Sequence, residues 1–345
     1  MSVSVPLSHP RLPKWAPYLV GAVGLAAAGL PALLAGWSPT KWLALAVALY
    51  LVLLPAWSLA VENGRAALDR LVTGLVWAAA GAATVPLAWL LFVVIGKGIA
   101  SINGAFLTTT MYNVVGAEQG GLYHALIGTL FITLTAALIS VPIGVLCAIY
   151  LVEYGARSRL ARVITFLVDV MTGIPSIVAG LFALSLFVLI FGPAYRAGFG
   201  GSVALSLLML PTVVRSSEEM FRLVPHDLRE ASYALGVPKW RTILRVVLPT
   251  SIGGVITGIV LAISRVVGET APLLVVAGSV DGINYNLFNG RMTTIPVYIF
   301  EQYSQSTPTG YQNAWGGALV LLFVVVALNL TARIIGRILA PAKGH

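Results

Sequence analysis

Arg265 and Glu269 stand four residues apart in "SRVVGETAPLL" (residues 264–274), a stretch embedded in a long apolar run. On a continuous helix that spacing puts both side chains on one face. A charged side chain at membrane depth costs about 2.5–3.5 kcal/mol on insertion scales, so such groups face a bundle interior and mark a substrate path or pair with one another. The guanidinium offers a fork of donors suited to an oxyanion, and a phosphate-like dianion crossing an apolar barrier needs a cation. The alternative is a neutral Arg265–Glu269 pair that only fixes helix packing. Glu269 could also hold Arg265 in place while no anion is present. Asp169, the other acidic residue inside an apolar run, either partners Arg265 across helices or accepts a hydrogen bond from a nearby hydroxyl. The hydroxyls of Ser176 and Thr270 are candidate anion contacts. Pro175 and Pro272 open backbone donors locally, as in broken transporter helices, or are plain kinks. Gly254 and Gly258 form a GxxxG on the helix of Arg265, a packing signature.

Other chemistries lack their residues. No Lys is followed by Ser or Thr, so the phosphate-binding loop of an ATPase is excluded. His9, His124, His226 and His345 are scattered without metal-ligand spacing. The single cysteine, Cys147, lies in an apolar run and permits no disulfide framework. No Ser/His/Asp set is suggested. The expectation is a chain that is not an enzyme, with no metal and no cofactor of its own.

The elements that must position Arg265 are membrane spans. Of the 345 residues, 58% are hydrophobic and only 10% charged, the composition of an integral membrane protein. The net charge of +9 then bears on orientation rather than on nucleic acid. A spanning helix needs roughly 20 apolar residues, and eight runs qualify: about 17–35, 42–60, 71–96, 123–151, 161–191, 201–221, 250–278 and 313–338. The first could pass for a signal peptide, but a second run follows within a few residues and no clean cleavage site stands out, which favours an uncleaved hairpin. Residues 1–70 therefore read as a two-helix extension, 71–338 as the main membrane domain, and 339–345 as a solvated tail. The N-terminal segment and the connections at 61–70, 152–162, 215–249 and 332–345 carry sixteen Lys and Arg, against Lys41, Lys97, Arg196 and Arg291 in the alternate loops. The excess of basic residues places the first set, and both termini, in the cytoplasm. In the outer loop at 279–312 the apolar patch Ile295 to Phe300 is expected on the membrane surface or against a partner.

One connection is unusual. "REASYALGVPKWRTILRVVLP" (229–249) reads as a helix–bend–helix elbow. Asp227 and Glu230 have capping-box spacing, Gly236 suits a left-handed helix stop, and Pro238 suits the first turn of a second helix that ends at Pro249. Ala231 and Ala234 let another surface approach closely. An amphipathic loop lying on lipid headgroups is the plainer alternative.

The elbow resembles the cytoplasmic signature of ATP-binding-cassette (ABC) importer permeases: E-A-A, three residues, G, nine residues, I-x-L-P. Glu230, Ala231, Gly236, Leu248 and Pro249 match; Ser232 replaces the second Ala and Val246 the Ile. "GIPSIVAG" (173–180), "SRVVGETAPLL" and "TTIPVYIFEQ" (293–302) are similar to the permeases of high-affinity phosphate importers of the PstA type. The resemblance covers roughly 71–338. It implies an all-α type I importer core of six transmembrane helices plus the N-terminal two-helix extension, in the bacterial inner membrane. It implies that Asp227, Glu230, Ala231, Ser232, Gly236, Leu248 and Pro249 dock an ATPase subunit, and that Arg265, Glu269, Asp169, Thr270 and Ser176 lie on the substrate path. The implied partners are a second, PstC-like permease, a PstB-like ATPase dimer carrying MgATP, a PstS-like phosphate-binding protein outside, and lipid; no nucleic acid is expected. The cargo left open is another oxyanion such as sulfate, molybdate or phosphonate. An ion-coupled anion transporter would account for the charged residues but not for the elbow, and a membrane phosphate sensor is the remaining reading.

Overall fold

The computed structural model describes residues 11–114, 120–155, 158–193 and 195–338, and divides into two compact units, residues 1–92 and 93–345. In the first unit, α1 (Ala16–Leu34) and α2 (Pro39–Val61) form a hairpin turned at Gly36, whose φ of +61° is the left-handed region that glycine enters without penalty. The hairpin closes tightly because Gly24 has no side chain: a Cβ there would lie 3.2 Å from the Ala46 carbonyl oxygen. Trp42 Nε1 also donates to the Leu25 carbonyl at 3.2 Å. α3 (Gly64–Gly98) begins in this unit, capped by Asn63, whose Oδ1 accepts from the Ala66 amide at 2.8 Å.

The second unit is helical throughout its described residues. After a 3₁₀ turn and the short α4 (Gly104–Thr108) come α5 (Tyr123–Ile149), α6 (Arg159–Thr172), α7 (Ser176–Phe191) and α8 (Gly198–Arg222). Then follow α9 (His226–Ala234), α10 (Lys239–Thr242), α11 (Leu248–Val267), α12 (Ala271–Val276), α13 (Ile295–Ser304) and α14 (Pro308–Ile338). Among the described residues six helices are long and apolar enough to cross a membrane, or seven if α6 and α7, bent by 109° at their junction, are counted as one span. The eight expected runs are thus all helical, but the apolar part of α1, Ala16–Pro31, is short for a span. Two runs are broken. The run 161–191 bends at Gly173-Ile174-Pro175, where Pro175 cannot continue a helix, and 250–278 stops at Gly268 before restarting at Ala271.

α8 is central. Leu205, Met209 and Val213 pack against Ile132 and Ala136 of α5, Ala262 and Val266 of α11, and Leu273 of α12. Small residues set the closeness of these contacts. A Cβ on Gly144 of α5 would sit 2.7 Å from a Val213 methyl, and one on Gly258 of α11 would sit 2.5 Å from Ser216 Oγ. The Gly254–Gly258 pair therefore faces α8 and serves packing. Large apolar side chains on α6 and α7, among them Phe166, Leu181, Phe182 and Leu189, point outward as a lipid-facing surface would.

The patch at 295–300 is not a surface feature. Pro296 lies in the first turn of α13, and Ile295, Pro296, Val297 and Tyr298 are buried against α5 and α14. The Ile295 amide donates to Thr129 Oγ1 at 2.8 Å, which leaves Phe300 as the half-exposed remainder.

Candidate functional site

α11 ends at Val267, two residues after Arg265 and two before Glu269. The two side chains therefore do not share a helix face and form no ion pair, contrary to the expectation from their spacing. Both nevertheless line one cavity of about 220 Å³. Its other walls are Met171, Thr172 and Ile174 at the α6–α7 bend, Ser176 at the start of α7, and Leu208, Pro211 and Thr212 of α8. The bend is what delivers Ser176 and the amino end of a sixteen-residue helix, with its partial positive charge, to the cavity of Arg265. Arg265 is exposed and has no carboxylate within salt-bridge reach among the described residues. Thr270 lies outside this wall; it precedes α12, where its carbonyl accepts from Leu274.

Asp169 does not reach Arg265 either. Its carboxylate pairs with Arg215 of α8, and Arg215 Nη1 also donates to Glu218 at 2.8 Å. Glu218, 4% exposed, takes a second guanidinium from Arg222 at 2.5 Å. The result is a chain of alternating charge, Asp169–Arg215–Glu218–Arg222, between α6 and α8. Arg215 stands one turn beyond Pro211 and Thr212 of the cavity wall. Sequence reasoning counts Arg215 with a polar connection and overlooks Glu218. The visible signal is their spacing, three and then four residues to Arg222, which is a single helical face.

The second assembly is the elbow, α9 and α10. Asp227 does not cap α9; the helix begins at His226 after Pro225, which puts Asp227 and Glu230 within it. At its other end the expected stop is complete. Gly236 has φ of +74°, its amide donates to the Tyr233 carbonyl at 2.9 Å, and the Val237 amide donates to the Ser232 carbonyl at 3.2 Å. Asp227, Glu230 and Ala231 are exposed, and neither carboxylate is engaged in an ion pair among the described residues. Leu235 and Trp240 are exposed beside them. Ser232 differs: it is buried, and its hydroxyl meets Thr242 at 2.8 Å, so it ties the two arms of the elbow together rather than facing outward.

The second arm does not end at Pro249. From Lys239 the helix runs through to Val267, with a π-helical turn at Ile243–Val247. The proline ring would clash with the carbonyl four residues earlier, that of Arg245, and the widened turn lies across that position. Leu248 and Pro249 are thus the junction between the elbow and the helix that carries Arg265.

The anchor of the elbow is a feature that sequence reasoning misses. Arg229, on the inner face of α9, is 8% exposed and donates to Glu153 at 3.0 Å, to the Val224 carbonyl at 2.6 Å and to the Phe221 carbonyl at 2.9 Å. Lys239 donates to the Glu153 carbonyl and sits 4.8 Å from the Tyr154 ring centroid. Glu153 and Tyr154 belong to the π-helical end of the α5 span. The elbow is therefore fastened to α5 by buried charge and continuous with α11.

Comparison with known proteins agrees with this geometry. Residues 140–345 match the family of binding-protein-dependent transport system inner membrane components. The phosphate transport system permease protein PstA 1 of Mycobacterium tuberculosis (strain H37Rv) is 49% identical over 255 residues, 73% of this chain and 82% of the relative. The phosphate transport system permease protein PstA of Haemophilus influenzae is 40% identical over 264 residues, 76% of this chain and 88% of the relative. In fold, the chain is similar to one of the MetNI methionine ABC transporter in an inward-facing conformation, with a TM-score of 0.50 and 20% identity over 64% of this chain and 95% of that one. A multi-span helical core, a charged cavity in it and an exposed elbow beneath one of its helices thus accompany the sequence match, and the chain belongs to the binding-protein-dependent transport inner membrane components, among the PstA permeases.

Proposed function

We propose that this chain is the membrane permease subunit of an ATP-driven inorganic phosphate importer, supplying half of the translocation pathway. Arg265 carries the reading: a guanidinium with no ion pair among the described residues, sharing with Glu269 a cavity built from apolar spans. A bilayer protein retains such a group at a cost of about 2.5–3.5 kcal/mol, and a phosphate oxygen pair is the complement its donor fork fits. The relatives named as phosphate permeases supply the cargo. Ser176 adds a hydroxyl on the same wall, while Glu269 repels an anion that lingers, so the cavity passes phosphate rather than storing it.

The remaining parts follow from the elbow. Its exposed carboxylates and apolar side chains are the docking face for a separate ATPase subunit that binds MgATP, with the basic connections and both termini in the cytoplasm. A homologous PstC-like permease completes the pathway around the open side of Arg265, and a PstS-like phosphate-binding protein delivers cargo from outside. ATPase closure moves α9, and the motion reaches α5 through Arg229–Glu153 and α11 through the π-helical turn. The test is radiolabelled phosphate uptake in cells carrying wild type, Arg265→Gln and Arg265→Lys at matched membrane levels. Loss in Gln with partial retention in Lys supports the reading; normal uptake in both rejects it.

A further inference from the structure

The first unit has an open cavity of about 760 Å³ between α1, α2 and the first turns of α3, a size within the roughly 300–1,000 Å³ of ligand sites. Three arginines line it, Arg11, Arg65 and Arg70, with two carboxylates, Glu62 and Asp69. Glu62 is fully engaged. It accepts two bonds from Arg70 at 2.9 and 2.8 Å, one from Ser58 at 2.5 Å and one from the Leu12 amide at 2.7 Å. Those donors, Arg70 first, hold its carboxyl down to about 2, so it stays ionised and neutralises Arg70. Arg11 and Arg65 are exposed and have no ion pair among the described residues. Set against Asp69, the two leave one positive charge in excess.

The rest of the wall is two-sided. Tyr50, Asn63 and Thr73 offer polar atoms, while Pro17, Leu54 and Trp77 are apolar or amphipathic. Trp77, on the same wall as the arginines, is 74% exposed and leaves a large aromatic face open. A phosphate-sized anion would satisfy the arginines and leave this apolar half unfilled. A zwitterionic lipid brings its own cation and leaves the excess charge uncompensated.

We propose that this cavity binds the phosphodiester headgroup of an anionic phospholipid, Arg11 and Arg65 on its phosphate oxygens and its apolar part against Pro17, Leu54 and Trp77. Basic pockets among membrane helices recognise such headgroups, and arginine forks hold phosphate with two parallel bonds. The site requires only that the unit lies in a bilayer and is independent of the cargo carried elsewhere in the chain.

The test uses the full transport complex, delipidated and titrated with phosphatidylglycerol, phosphatidylcholine and inorganic phosphate under native mass spectrometry. Wild type should prefer phosphatidylglycerol, and Arg11→Gln/Arg65→Gln should weaken it roughly thirtyfold, about 1 kcal/mol per lost cation. Arg11→Lys/Arg65→Lys should keep most of the preference, and Lys41→Gln, an exposed cation away from the cavity, all of it. Both arginines are exposed, so assembly of the variants is expected and is checked by co-purification of the subunits. Equal binding of the two lipids, or an unaltered preference in the double glutamine variant, overturns the proposal. Saturable binding of inorganic phosphate that the double variant abolishes reassigns the cavity to the free anion and overturns it equally.

Discussion

A guanidinium in an apolar span needs either a carboxylate or a task. Arg265 has no carboxylate among the described residues, because α11 stops before Glu269 and because Asp169 is held by Arg215. Its presence is legible from composition alone, since one charge in a long apolar run stands out. Its pairing is not, because a helix end set by Gly268 decides it and four-residue spacing assumes the helix continues. Removing a charge-assisted contact costs about 1.5–3 kcal/mol, so Arg265→Gln should lower phosphate uptake about 10- to 100-fold while membrane insertion stays normal. Lysine keeps the charge and loses the fork, so Arg265→Lys should fall between the two. Glu62 makes a separate, pH-dependent prediction. Its carboxyl is depressed from 4.5 to about 2, so the stability it contributes is present above about pH 4.5 and is lost as pH falls toward 2. Glu62→Gln should therefore lower the thermal midpoint of the purified protein at neutral pH and flatten its decline on acidification. An unchanged midpoint at pH 7 would mean that the four donors are satisfied elsewhere.

Among the elements, the elbow is readable in outline because turns announce themselves through glycine and proline. Gly236 is constrained by dihedral angle and not by space: no atom lies within 4 Å of where a Cβ would stand, yet φ is +74°. Gly236→Ala should thus cost about 1–2 kcal/mol locally. Gly236→Pro should be worse, because it cannot adopt that angle and deletes the amide bonded to Tyr233. Glu230→Lys tests the outer face separately. Glu230 is exposed and has no ion pair among the described residues, so the variant should fold and insert normally while losing co-purification with the ATPase subunit; retained co-purification would remove the docking role. The anchor cannot be read in sequence, since Glu153 and Arg229 are separated by the whole of α6, α7 and α8. Removing one partner of a buried pair leaves a charge that costs about 3–5 kcal/mol, whereas replacing both with apolar groups is often neutral. Arg229→Met should therefore raise hydrogen exchange through 226–247, and adding Glu153→Leu should restore protection. Failure of the second change to rescue would show that the carbonyls of Val224 and Phe221, rather than Glu153, are what Arg229 serves.

At the scale of the molecule, the division near residue 92 separates a small hairpin-led unit from one with its own extensive core. The charged connection at 61–70 sets the first two apolar runs apart in the sequence, and in the structure α3 runs through residue 70 without a break. The cavity of Arg265, the elbow and its anchor all lie in the second unit, and the family match begins only at residue 140. Deleting residues 1–60 removes α1 and nearly all of α2, together with Arg11, Tyr50 and Leu54 of the arginine-lined cavity. The shortened chain should still insert, co-purify with its ATPase and take up phosphate at close to the intact rate, while losing the preference for phosphatidylglycerol. Uptake lost at normal membrane levels would place the hairpin in the transport mechanism itself. Measuring uptake and lipid binding on the same preparation separates the two roles, because only a hairpin that serves lipid recognition alone leaves transport intact when it is gone.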